Sequence, residues 1–148
     1  MEKTLVYDAW QGFFTVFIAW IFAQTIKIII GVIREKRFNF RWLVTTGGMP
    51  STHSAAVAAL ATVVGVHYGF GSVIFAITCT FTLITMFDAA GVRRNVGKQA
   101  SLLNQMMDDI YATGEVPETR LKELLGHTPI EVFVGAAVGV SIAVLMYR

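Results

Sequence analysis

The chain has 148 residues, of which 55% are hydrophobic and only 15% charged, and its formal net charge is +2. Soluble domains of this length carry about a quarter charged residues, so an ordinary soluble globule is excluded, and nothing in the composition asks for a nucleic-acid partner. A single cysteine, Cys79, sits in an apolar run; it offers no intrachain disulfide framework and reads as a small buried hydrophobe.

Runs of about 20 apolar residues read as transmembrane helices, and the sequence contains four. The first covers residues 10–33, with Trp10 suited to an interfacial aromatic belt. No basic stretch followed by a small-residue cleavage site precedes it, so it is expected to be a retained span. Residues 34–50 form a basic loop with Arg34, Lys36, Arg37 and Arg41, broken by Gly47-Gly48. Pro50 opens the second span, residues 51–68, as a proline can in a first helical turn. A short turn of His67, Tyr68, Gly69 and Gly71 leads to the third span, residues 72–88, which ends at Asp88.

Residues 89–126 are the longest polar segment. Their first part places Leu102, Leu103, Met106, Met107 and Ile110 at near-helical spacing, so it either continues the third helix or lies along the interface. Residues 120–125 suggest a further short helix. Asp108, Asp109, Glu115, Glu118 and Glu123 read as a solvated surface. The fourth span covers residues 128–147. The expected fold is therefore an all-α integral membrane protein: one domain, residues 1–148, with about four transmembrane helices and a cytoplasmic helical segment.

Charge orients this arrangement. Four Lys or Arg residues lie in 34–50 and five in 89–126, nine of the twelve in the chain, while the 67–71 turn has none. Loops rich in Lys and Arg stay cytoplasmic, which puts both termini outside. The polar run Pro50-Ser51-Thr52-His53-Ser54 and His127 border the basic loops, so both fall on the cytoplasmic side.

These residues carry the candidate chemistry, each beside a plainer reading. Lys27 is a cation within a span; facing lipid it would cost several kcal/mol, so it faces protein or a ligand, or else it snorkels to the interface. Arg34 lies seven residues, or two turns, beyond it on the same face. Ser51, Thr52, Ser54 and the free N–H groups of a helix start offer donors to an anion, though hydroxyl caps explain the same residues. His53, in the first turn, is placed to give a proton to a leaving oxygen, or simply bonds a neighbouring carbonyl.

His127 and Glu131, four apart, form a carboxylate–imidazole pair of the kind that orients a nucleophile. Thr128-Pro129-Ile130-Glu131 equally spells a capping box with proline at the first helical position. Asp88, Arg93, Arg94 and Lys98 follow the third span. The cations suit phosphate oxygens or lipid headgroups, and Asp88 pairs with one of them or with a histidine. A metal site from His53, Asp88, His127 and Glu131 has no tight ligand spacing behind it; neither metal nor cofactor is expected. His67, in the outer turn, reads as incidental.

The order Lys27-x6-Arg34, Pro50-Ser51-Thr52-His53, His127-x3-Glu131 resembles the type 2 phosphatidic acid phosphatase superfamily, and most of all its divergent bacterial and plant branch. The resemblance runs from residue 27 to 139. It implies that Lys27 and Arg34 hold phosphate oxygens, with Ser51, Thr52 and backbone N–H groups adding donors. It implies that His53 protonates the leaving oxygen and that His127, oriented by Glu131, attacks phosphorus and forms a phosphohistidine without a metal. The chain departs from the superfamily pattern in four places. Glu35 follows Arg34 where a proline is usual, Thr52 replaces a glycine, and Glu131 replaces an aspartate. Thr119-Arg120 lies one residue too far from His127, leaving Arg93 or Arg94 to supply that cation.

The reading that results is a membrane lipid-phosphate phosphatase at the cytoplasmic leaflet. Its substrate would be a phosphomonoester of the phosphatidylglycerol phosphate or phosphatidic acid type, in a bacterial plasma membrane. The alternative is a non-enzymatic membrane protein that binds lipid phosphate, such as a transporter subunit or assembly factor. Ala55/Ala59 and Gly135/Gly139, small residues four apart, suit close helix contact within one chain or in a homo-oligomer.

Overall fold

The computed structural model describes residues 2–37, 40, 48–111 and 126–147, with side chains described outside 2–9, 92–94, 109 and 111. Five helices follow in order: α1 Glu2–Glu35, α2 Thr52–Tyr68, α3 Val73–Ala90, α4 Val92–Tyr111 and α5 Pro129–Met146. Among the described residues there is no strand. The protein is an all-α integral membrane protein. Stretches of α1 (Trp10–Glu35), of α3 and α4 together (Val73–Asp108) and of α5 (Pro129–Met146) are long and apolar enough to cross a bilayer.

Helices α2, α3 and α5 each start where a hydroxyl satisfies a first-turn N–H. Ser51 accepts from the Ser54 N–H at 3.4 Å, and Ser72 accepts from the Phe75 N–H at 3.2 Å. Thr128 accepts from the Glu131 N–H at 3.3 Å, with Pro129 in the first helical position. The α2–α3 turn needs Gly69, which takes φ 87°. Hydroxyls inside the spans donate to the carbonyl one turn back, as from Thr15 to Gln11, Thr62 to Ala58 and Ser141 to Ala137, each at 2.8 Å. No polar hydrogen is thereby handed to hydrocarbon.

The packing is that of a membrane bundle, with small residues inside and large ones outside. Ala19, Ala23, Ala55, Ala58, Ala59 and Ala143 are buried, while Trp10, Phe13, Phe81, Phe87 and Phe133 point outward. Without a hydrophobic drive between helices in lipid, close backbone approach supplies the attraction. Helix α2 sits at the centre and packs on α1, α3 and α5; α1 also meets α5. Ala19, Ala59, Val63 and Ala143 form the core, flanked by Val16, Ile142 and Tyr147. The Thr82 hydroxyl lies 3.0 Å from the Val57 carbonyl as well as 2.8 Å from that of Thr78, tying α3 to α2.

At 17 residues, α2 rises only about 25 Å. It is the shortest of the helices and is walled by longer ones. Helix α4 continues α3. The Gly91 N–H donates to Phe87 O at 2.8 Å and the Asn95 N–H to Gly91 O at 3.1 Å, so the helical pattern runs through the break. Cys79 is half-buried rather than buried, because α3 packs one side against α2 and leaves the other outward. The short helix expected at 120–125 and the acidic residues Glu115, Glu118 and Glu123 lie outside the described residues.

Candidate functional site

The polar residues gather where α2 and α5 begin. Gly126, at φ 100°, turns the chain into His127. The His127 N–H then donates to Ala89 O at 3.0 Å, docking the start of α5 on the end of α3. The His127 side chain is 2% exposed, with Nδ1 3.2 Å from Glu131 Oε2. The same Oε2 accepts the Thr128 backbone N–H at 3.0 Å. The capping box and the carboxylate–imidazole pair are therefore one arrangement, sharing one oxygen. An anionic acceptor at Nδ1 assigns the proton to that nitrogen and directs Nε2 away from the carboxylate.

Lys27 enters from α1. Its side chain is 2% exposed and interacts electrostatically with Glu131. It faces protein, not the interface, as a buried cation must when an acceptor is near. Ser51 closes the other side. It is fully buried, its N–H donates to Glu131 O at 3.0 Å, and its Oγ takes the Ser54 hydroxyl at 3.0 Å. Thr52 and Ser54 are buried beside it. Ser51, His127 and Glu131 thus meet where α2 and α5 begin, with Lys27 buried on α1 within longer-range electrostatic reach of Glu131.

A family model described as the divergent PAP2 family matches residues 10–142, most of the chain. The chain belongs to the divergent PAP2 family. It is also 42% identical to the uncharacterized membrane protein YuiD of Bacillus subtilis (strain 168) over 137 residues, covering 85% of this chain and 87% of that protein. No solved structure matches.

The other sequence candidates of this divergent PAP2 protein stand further out. His53 is exposed on the first turn of α2, at the same end of the bundle as His127. Arg34 is exposed: it shares a face with Lys27, but α1 has left the bundle by then. Asp88 is half-buried in the last turn of α3, next to the Ala89 carbonyl that receives His127. Lys98 is exposed on α4; Arg93 and Arg94 lie in its first turn, and their side chains are outside the described set. Arg41 and Arg120 also lie outside it.

One buried polar residue escaped the sequence reading. Asn104 is 4% exposed and shares the buried side of α4 with Gly97 and Ala100. Its spacing of four and seven residues from those small residues was the available signal. Gly135, expected from its small size to make a close helix contact, lies directly against the Ser51 backbone. Among the described residues, no three His, Cys, Asp or Glu side chains group so as to hold a metal ion. Two hollows are lined by described residues. A hollow of about 410 Å³ at the opposite end is lined mainly by apolar side chains with His67, Tyr68 and Tyr147. A groove of about 540 Å³ runs along Leu83, Ile84, Phe87 and Asp88. The His67 and Tyr68 rings meet edge-on at 4.8 Å, an aromatic contact that accounts for His67 structurally.

Proposed function

We propose that this protein is a membrane phosphatase that removes a terminal phosphate from a phospholipid of the phosphatidylglycerol phosphate or phosphatidic acid type. The observation that carries the reading is the buried His127 ring held 3.2 Å from the half-buried Glu131 carboxylate, with Lys27 buried on the neighbouring α1. A buried imidazole held by a carboxylate is built to attack, and a buried cation is built to stabilise charge on phosphoryl oxygens. In this reading His127 Nε2 attacks phosphorus and Glu131 keeps Nδ1 protonated. Lys27 stabilises the equatorial oxygens, helped by Arg34, Thr52, Lys98 and Arg93 or Arg94, and Asp88 orients a cation. His53 gives a proton to the departing oxygen. Ser51 holds the start of α2 in place, because its N–H and hydroxyl are already engaged.

The site faces the cytoplasm in this proposal, supported by the nine Lys and Arg residues of the two flanking loops. A bacterial plasma membrane is supported by the Bacillus relative. The test is phosphate release from purified protein in mixed micelles. Wild type should turn over a lipid phosphomonoester and be blocked by vanadate, which mimics five-coordinate phosphorus. His127→Ala should lose at least about 10³-fold in kcat. Normal turnover by that variant removes the nucleophile assignment.

The near-complete burial of both Lys27 and His127 also favours a second reading, a protein that binds lipid phosphate without cleaving it. Saturable, Lys27-dependent binding without phosphate release from any lipid phosphate would select it.

A further inference from the structure

Resting on the phosphatase reading above, we infer that Gly135 is a positioning residue: its missing side chain lets the Ser51 backbone seat directly on α5, and that seating sets His53 against His127.

Helix α5 offers bare backbone to α2 at two places one turn apart. A Cβ on Gly135 would overlap the Ser51 carbonyl oxygen and stand 3.1 Å from Ser51 C and N. A Cβ on Gly139 would overlap the Ala55 carbonyl oxygen and stand 2.8 Å from Ala55 C and 3.0 Å from its Cα. The obstructing atoms are backbone at the start of a helix, so they cannot swing aside as a side-chain tip does. Neither glycine takes a positive φ, so space rather than conformational freedom is what each provides.

The Gly135 contact falls on the residue whose N–H donates to Glu131 O at 3.0 Å. Two backbone contacts on Ser51 therefore register the first turn of α2 against the first turn of α5. His53 follows Ser51 by two residues, and His127 precedes Glu131 by four. Shifting this register moves the proposed acid relative to the proposed nucleophile while both side chains remain intact. The function of the contact is thus geometric, and it acts through His53.

The chemistry makes that distinguishable. His127 Nε2 forms a bond to phosphorus and the bond from phosphorus to the alcohol oxygen breaks. The electron pair stays on that oxygen, which takes a proton from His53. Water then attacks the phosphohistidine and gives a proton back to His53; the P–N bond breaks and phosphate leaves. An alkoxide leaving group needs the proton, whereas a nitrophenolate does not.

The experiment compares dioctanoyl phosphatidic acid with a nitrophenyl phosphate carrying an octyl chain, in the same micelles, for wild type, G135A, H53A and G135A/H53A. In G135A, kcat/KM, which reports cleavage of the P–O bond and not the shared hydrolysis of the phosphohistidine, should fall about 10²-fold on the alkyl ester and stay within about threefold on the aryl ester. H53A should show the same selectivity, and adding G135A to it should deepen the selectivity little. If G135A yields no folded protein, S51P carries the test instead: Ser51 sits at φ −72°, which proline accepts, and the substitution removes the other tie, the Ser51 N–H to Glu131 O. Equal losses on both esters in a folded variant, or no loss on either, overturn the positioning role. Wild type inert toward both esters instead overturns the phosphatase reading itself.

Discussion

Glu131 Oε2 binds the Thr128 N–H and the His127 ring. One carboxylate thereby starts a helix and orients an imidazole. These tasks separate by substitution. Glu131→Gln keeps an acceptor at the third helical position, where glutamine also serves a capping box. Its melting temperature should therefore stay close to wild type while kcat falls by about 10²- to 10⁴-fold, read by phosphate release and thermal unfolding in detergent. Lys27→Met asks whether the two charges work together: combined with Glu131→Gln, it should lower kcat by less than the two single losses multiplied. Additive losses in that double-mutant cycle would show that the two charges do not interact. The pairing of His127 with Glu131 was legible from its four-residue spacing. The electrostatic reach of Lys27 to Glu131 was not, because no local pattern links α1 to α5.

The element boundaries followed from apolar runs punctuated by caps: Ser51, Ser72 and Thr128-Pro129 all stand where helices begin. What the runs did not disclose was arrangement. Helix α2 is apolar on every side, so its pattern does not point to a partner, and only its small residues hint that three helices surround it. Ala55, Gly135 and Gly139 suited either an internal or an intermolecular contact; the structure uses them internally. Arg34 shared a face with Lys27 on paper, yet a face argument says nothing of where the bundle ends. Thr128→Ala tests the element that carries the site. It removes the cap of α5 and should cost about 1 kcal/mol, and it should also lower kcat, since His127 is the residue next to the cap. A stability loss with unchanged kcat would detach the cap from the site.

At the scale of the molecule, the polar cluster occupies one end of the bundle and the hollow beside His67 and Tyr147 the other. Sidedness can be read directly. With Cys79 replaced by alanine, a cysteine at Gly71 should react with a membrane-impermeant thiol reagent added to whole cells, and one at Lys98 should react only after the cells are opened. The reverse pattern would turn the site outward. The brevity of α2 has a consequence of its own. A helix rising about 25 Å inside a hydrocarbon layer about 30 Å thick ends beneath the ester level of the lipids. A phosphate on an acyl-anchored glycerol is held in the headgroup layer just outside that depth, whereas one dissolved in the aqueous phase must first be drawn through that layer. Turnover should accordingly follow surface dilution kinetics, falling as inert detergent lowers the mole fraction of substrate in each micelle even when its bulk concentration is held fixed.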